Sequence, residues 1–134
     1  MSEALKFLQD NTLHYVATVG LDGRPRVRPF QSVYVKAGRI YYCTNNAKAV
    51  YKELQKQPDV QINALEPQTM SWLRVSARAV FTEDAEIKKE IFAAYPSLKN
   101  IYQEPANPIF AIFYLANPQA VLYTFKEPPR ELAV

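Results

Sequence analysis

The chain has 134 residues, which suits one domain with its own packed core and is short for two. Hydrophobic residues make up 49% and charged residues 22%, with three glycines against ten prolines, so disorder, collagen-like repeats and flexible low-complexity chains are excluded. Sixteen Lys+Arg face thirteen Asp+Glu, a surplus of +3 that does not by itself imply nucleic acid, and a single cysteine, Cys43, excludes an intrachain disulfide framework.

The amino end lacks the charged-then-apolar order of a secretory signal, and no apolar run approaches the roughly 18 residues needed to span a bilayer. A soluble cytoplasmic protein with no membrane partner is therefore expected. Residues 2–10 predict a short amphipathic helix capped by Ser2, with Leu5, Phe7 and Leu8 on its apolar side. Residues 13–20 are β-prone, and Asp22-Gly23 signals a hairpin. Residues 25–36 read as a second strand, Ala37-Gly38 as a turn, and residues 39–44 as a third strand, which together predict a three-stranded antiparallel meander.

Asn45 and Asn46 are candidate caps for a helix whose apolar stripe is Ala47, Val50, Tyr51 and Leu54, and Pro58 ends it. Residues 59–65 alternate as a half-buried strand, and residues 70–81 form a longer one. In the latter, Leu73, Val75, Ala77 and Ala79 oppose Trp72, Arg74, Ser76 and Arg78. Asp84 caps a helix carrying Ile87, Ile91, Ala94 and Tyr95, Pro96 breaks it, and residues 97–102 form a separate turn. Residues 109–116 and 119–126 read as two final strands joined by Asn117-Pro118, with an irregular tail from Glu127 to Glu131. The order predicts one domain over residues 1–134: a mainly β (α+β) split β-barrel of about six to seven mostly antiparallel strands with peripheral helices.

Two features carry the chemistry. Arg24, Arg26 and Arg28 alternate with Pro25, Val27 and Pro29, which sets three guanidinium groups on one strand face about 7 Å apart. A bound phosphate would relieve their repulsion, and so would carboxylates supplied from elsewhere in the fold. Prolines 25 and 29 remove ladder donors and place this strand at an edge or bulge. The second feature is the junction from Tyr42 to Lys48, where a strand runs into a helix N-terminus whose free N–H groups attract anions. Thr44 and Asn45 add donors there. Lys48, expected in the first or second turn, opposes the helix dipole unless an anion sits beside it. Strand pairing about the turn at 37–38 brings residues near 26–31 alongside residues near 44–49, so both features meet one anion.

The hairpin Tyr15-Val16-Ala17-Thr18-Val19-Gly20-Leu21-Asp22-Gly23-Arg24-Pro25-Arg26-Val27-Arg28-Pro29-Phe30 resembles the opening of the pyridoxamine 5′-phosphate oxidase-like, FMN-binding split-barrel proteins. The stretch Ile40-Tyr41-Tyr42-Cys43-Thr44-Asn45-Asn46 through Lys48 is similar to that family's second cofactor segment, and Trp72-Leu73-Arg74-Val75-Ser76-Ala77-Arg78-Ala79 to its central strand. The resemblance implies a homodimer with FMN in two clefts at the interface. It implies that Arg26, Val27, Arg28 and Pro29 line the isoalloxazine and ribityl side, that Thr44, Asn45 and Lys48 hold the phosphate, and that Trp72 lies against the flavin. Phe125 or Tyr123 would close the cleft from the partner. True vitamin B6 oxidases are longer and carry an extra basic carboxy-terminal segment, so vitamin B6 oxidation is not expected of this chain, which is closer in size to general-stress and nitroimidazole-resistance-type members.

The implied function is an FMN-dependent oxidoreductase, with electrons passing between a reduced nicotinamide cofactor, NADH or NADPH, and a small-molecule substrate. No residue identifies itself as a catalytic acid or base. His14 is the only histidine, so a dedicated metal site is not expected, and it reads as a surface or rim residue; histidine serves haem in some relatives. Cys43 reads as a small apolar packing residue. The alternatives are a nucleic-acid-binding β-barrel, for which aromatic residues interleaved with Arg and Lys speak, and a haem-binding or flavin-free relative.

Overall fold

The computed structural model describes residues 1–31 and 33–134. Its elements follow in the order α1 (Glu3–Asp10), β1 (His14–Val19), β2 (Pro25–Phe30), β3 (Val33–Lys36), β4 (Arg39–Asn45), α2 (Ala49–Lys56), β5 (Asp59–Glu66), β6 (Ser71–Thr82), α3 (Ala85–Ala94), α4 (Leu98–Tyr102), β7 (Phe110–Tyr123) and β8 (Arg130–Leu132). Among the described residues eight strands form one antiparallel sheet along the path β2-β1-β5-β6-β7-β4-β3, with β8 on β7. The expected mainly β split barrel with outlying helices is therefore formed, with one strand more than the upper expectation.

Connectivity forces the sheet to roll. Phe30 closes β2 and Val33 opens β3, so three Cα steps, no more than about 11 Å, separate the two ends of the path. Six strand spacings in a flat sheet would hold those ends roughly 29 Å apart. Residues 25–36 are thus two strands with different neighbours. β2 pairs β1 with Val16 opposite Arg28, and β3 pairs β4 with Tyr34 opposite Tyr41. The expected three-stranded meander does not form, because the chain changes partners between Phe30 and Val33. The split lies at that change.

The rolled interior is built from facing rows of small and branched side chains. Val16, Ile62, Val75 and Ala120 stand in register, as do His14, Ala64, Leu73 and Leu122. All eight are at least nine-tenths buried. Leu5 and Leu8 of α1 and Val50 and Leu54 of α2 close the interior as expected, whereas Ala47, the first residue of the expected stripe, lies exposed ahead of α2. Ser2 caps α1 and Asp84 caps α3 through their side-chain oxygens. A second apolar cluster, including Tyr41, Ile91, Tyr102 and Phe110, sits between the outer side of β4 and β7 and helices α3 and α4.

Three further expectations are corrected. Asn117-Pro118 does not join two strands: β7 is continuous, and Ala77 opposes a bulge between Ala116 and Gln119. Asn117 takes φ 52° there, a conformation asparagine tolerates, and Pro118 needs no ladder donor at a bulge. The tail is not wholly irregular, since Arg130–Leu132 forms β8 on β7. Helix α2 starts two residues later than its apolar stripe suggested, with Lys48 rather than an asparagine at the N-cap.

Candidate functional site

A cavity of about 660 Å³ opens where the ends of β2 and β4 meet the start of α2. Arg28, Pro29, Phe30 and Gln31 form one wall, Cys43, Thr44 and Lys48 the opposite one, and Leu13, Tyr15, Val50 and Ile101 complete it. The two sequence features therefore do converge, by a different route from the one expected. No ladder joins β2 to β4. The rolling of the sheet brings the end of one edge strand across the split to the strand beside the other edge.

Two side-chain donors on the β4 side, Thr44 Oγ1 and Lys48 Nζ, have no partner among the described residues. Thr44 is 4% exposed, and among the described residues its Oγ1 is the one buried side-chain polar atom without a hydrogen bond. A buried hydroxyl in that condition costs about 1–3 kcal/mol, so it is expected to meet a ligand atom. The start of α2 has no side-chain cap, which leaves its first N–H groups without a side-chain partner. Lys48, at the N-cap, makes no ion pair among the described residues. An orphaned hydroxyl, an uncapped helix start and an uncompensated ammonium form a donor set that fits a phosphate group.

The arginine face is arranged differently. Arg26 donates to Asp22 Oδ2 at 3.0 Å and to the Pro25 carbonyl, close to the hairpin turn and away from the cavity. Its charge is answered by that exposed carboxylate. Arg28 reaches inward: Nη1 donates to Thr18 Oγ1 at 2.7 Å, and Nη2 donates to Glu53 Oε1 at 2.5 Å. Thr18 Oγ1 in turn donates to the same carboxylate oxygen at 2.7 Å. Carboxylates from elsewhere in the fold thus relieve the repulsion at two of the three arginines, and Arg24 lies exposed.

The remaining expected site residues lie apart from the cavity lining in the single chain. Asn45 ends β4, and its Oδ1 accepts from the Ala47 N–H, so it shapes the turn before α2. Val27 is 66% exposed on the outer side of β2. Trp72 stacks on Tyr123 with ring centroids 4.0 Å apart, and Arg74 donates to the Tyr123 hydroxyl at 2.6 Å. Phe125 is 85% exposed. Register puts Trp72 opposite both Leu65 and Tyr123 on the sheet's outer face, two strands from Tyr15. A second concavity of about 590 Å³ lies elsewhere on the outer face, lined by Ala17, Gln61, Ser76 and Arg78 among others, and contains no orphaned buried group among the described residues.

His14 is not the surface or rim residue expected. It is fully buried, with Nδ1 2.8 Å from the Tyr42 hydroxyl and Nε2 3.0 Å from the Leu8 carbonyl and 2.8 Å from that of Asn11. Two carbonyl acceptors require Nε2 to carry the proton, so Nδ1 accepts from Tyr42. Both nitrogens are thereby occupied and neither is free to ligate iron. Burial pushes the imidazole below its ordinary value, and burial also raises the Tyr42 phenol. Sequence reasoning missed Glu53. Its signal was a carboxylate between Val50 and Leu54 on the apolar side of an amphipathic helix, a position that demands a cationic partner.

The sequence matches the pyridoxamine 5′-phosphate oxidase family over residues 1–124. No curated protein matches the chain. A NimC/NimA family protein from Clostridium acetobutylicum has a similar structure, with a TM-score of 0.88 and 30% identity over 98% of this chain and 90% of that one. General stress protein 26 from Bacillus anthracis is similar at a TM-score of 0.76 and 17% identity, over 95% of this chain and 94% of that one. A pyridoxamine 5′-phosphate oxidase-related, FMN-binding protein from Nostoc punctiforme is similar at a TM-score of 0.68 and 16% identity, over 96% of this chain and 86% of that one. With the split barrel, the phosphate-compatible cavity and a match over nearly the whole sequence, this chain belongs to the pyridoxamine 5′-phosphate oxidase family, a flavin-binding family of oxidoreductase type.

Proposed function

We propose that this protein is an FMN-binding oxidoreductase that seats the flavin phosphate in the cavity between β2, β4 and α2. One observation carries the reading: Thr44 Oγ1 is buried and without a partner among the described residues, and Thr44 lines the same cavity as the uncompensated Lys48. Thr44 donates a hydrogen bond to a phosphate oxygen, Lys48 supplies charge, and the free N–H groups at the start of α2 complete the cradle. The β2 wall, from Arg28 to Phe30, positions the rest of the ligand, and Leu13, Tyr15 and Ile101 supply its apolar surroundings. Bound FMN supplies hydride and electron transfer, and the chain supplies binding, orientation and exclusion of water. The proposed electron donor is NADH or NADPH and the acceptor a small molecule.

The proposal includes a homodimer. Tyr15, Val19 and Val27 expose apolar surface on the outer face, which also carries the Trp72–Tyr123 stack, and Phe125 is exposed beyond the end of β7. A second copy seated there would cover these side chains and bring Trp72 or Phe125 toward its partner's flavin. The test is direct. The absorption spectrum of freshly purified protein, FMN titration, and reduction with NADH or NADPH should show a reducible bound flavin, and sedimentation should show a dimer. Failure to take up FMN refutes the flavin reading, and a monomer with FMN bound refutes the interface.

A further inference from the structure

Arg28 lines the cavity, yet its charge is met inside the protein. Glu53 is 4% exposed, on the buried side of α2 with Val50 and Leu54. A carboxylate at that depth needs a cation at contact distance. Arg28 is that cation, and Thr18 closes the triangle by accepting from the guanidinium and donating to the carboxylate. Among the described residues no carboxylate lines the cavity itself. Of the two cations that do line it, Arg28 is neutralised from behind, and Lys48 stands alone among the described residues. A neutral pair projects only a dipole, whose field falls off faster than that of a charge.

We propose that Glu53 sets the charge of the cavity: acting through Arg28, it leaves Lys48 as the one uncompensated cation, among the described residues, facing the ligand phosphate. Glu53 is therefore a positioning and specificity-determining residue that touches no ligand atom. A phosphate monoester carries between −1.5 and −2 near neutrality, so the site is under-compensated by design and holds its anion less tightly than two free cations would. The inference rests on the flavin reading of the cavity.

The phosphate contribution is isolated by the ratio of riboflavin to FMN dissociation constants, because the two ligands differ only in that group. Glu53→Gln keeps the shape and removes the charge. It should raise the ratio by about tenfold and steepen its dependence on salt, since a second full charge then faces the phosphate. Glu53→Asp should restore a ratio within about threefold of the unsubstituted protein, because the charge returns. Lys48→Ala should collapse the ratio. A ratio in Glu53→Gln that is unchanged or lower overturns the proposal.

If Glu53→Gln does not fold, the salt dependence of the ratio in the folded proteins decides. A dependence that disappears in Lys48→Ala upholds a single uncompensated cation, and one that survives in Lys48→Ala overturns it. If the unsubstituted protein binds neither FMN nor riboflavin, the flavin reading fails by itself. The charge assignment is then read from the rise in Tm with inorganic phosphate. Glu53→Gln showing the larger rise upholds it, and an equal or smaller rise overturns it.

Discussion

Replacing Thr44 by valine should move the empty and the loaded protein in opposite directions. Valine keeps the branched shape and removes Oγ1, the buried atom that has no partner among the described residues. An unsatisfied buried hydroxyl costs about 1–3 kcal/mol, so the ligand-free variant should gain about 1 kcal/mol after repacking. For a domain of this size that is a rise in Tm of about 4 °C. The same atom is assigned a hydrogen bond to a phosphate oxygen, and bonds to charged groups contribute about 1.5–3 kcal/mol. FMN affinity should therefore fall roughly 10- to 150-fold, while riboflavin affinity stays the same. Thermal unfolding of the flavin-free protein gives the first quantity, and flavin fluorescence titrations give the second. A variant that is less stable when empty would show that Oγ1 is satisfied. One that binds FMN as tightly as before would show that the phosphate lies elsewhere.

Other perturbations test the supports of the site. Arg28→Ala leaves Glu53 buried without its cation and should cost about 3–5 kcal/mol, measured by urea unfolding; a cost below about 1 kcal/mol would mean that the pair does not hold β2 to α2. His14 is held neutral by burial, with its folded value below the ordinary 6.5. The unfolded chain then binds the proton more readily, so the stability contribution is complete above about pH 6.5 and declines as pH falls toward the lowered folded value. Tm measured from about pH 7.5 to about pH 5 should drop, and His14→Gln should flatten that slope; an equal slope in both proteins would place the acid sensitivity elsewhere. A methyl group on Gly20 would sit 2.8 Å from the Arg24 carbonyl oxygen, so Gly20→Ala should cost about 1–3 kcal/mol by prising open the β1–β2 hairpin, as read by chemical denaturation.

Local patterns in the sequence determined most of the elements and several of their ends. Period-two alternation gave β5 and β6, the 3.6-residue stripe gave α1 to α3, and Ser2 and Asp84 marked helix starts because their side-chain oxygens satisfy N–H groups a few residues away. The cavity's two walls were also legible, since an arginine-proline strand and a strand running into a helix are each local features. Tertiary structure alone decided how they meet. Residues 25–36 look like one strand because alternation says nothing about a change of neighbour, and the rolling of the sheet follows from pairings between residues far apart in sequence. The charge of the site was equally hidden. Whether Arg26 and Arg28 face an anion or a carboxylate depends on what lies opposite them. The fold places Asp22 beside one and Glu53, 25 residues away on another element, beside the other.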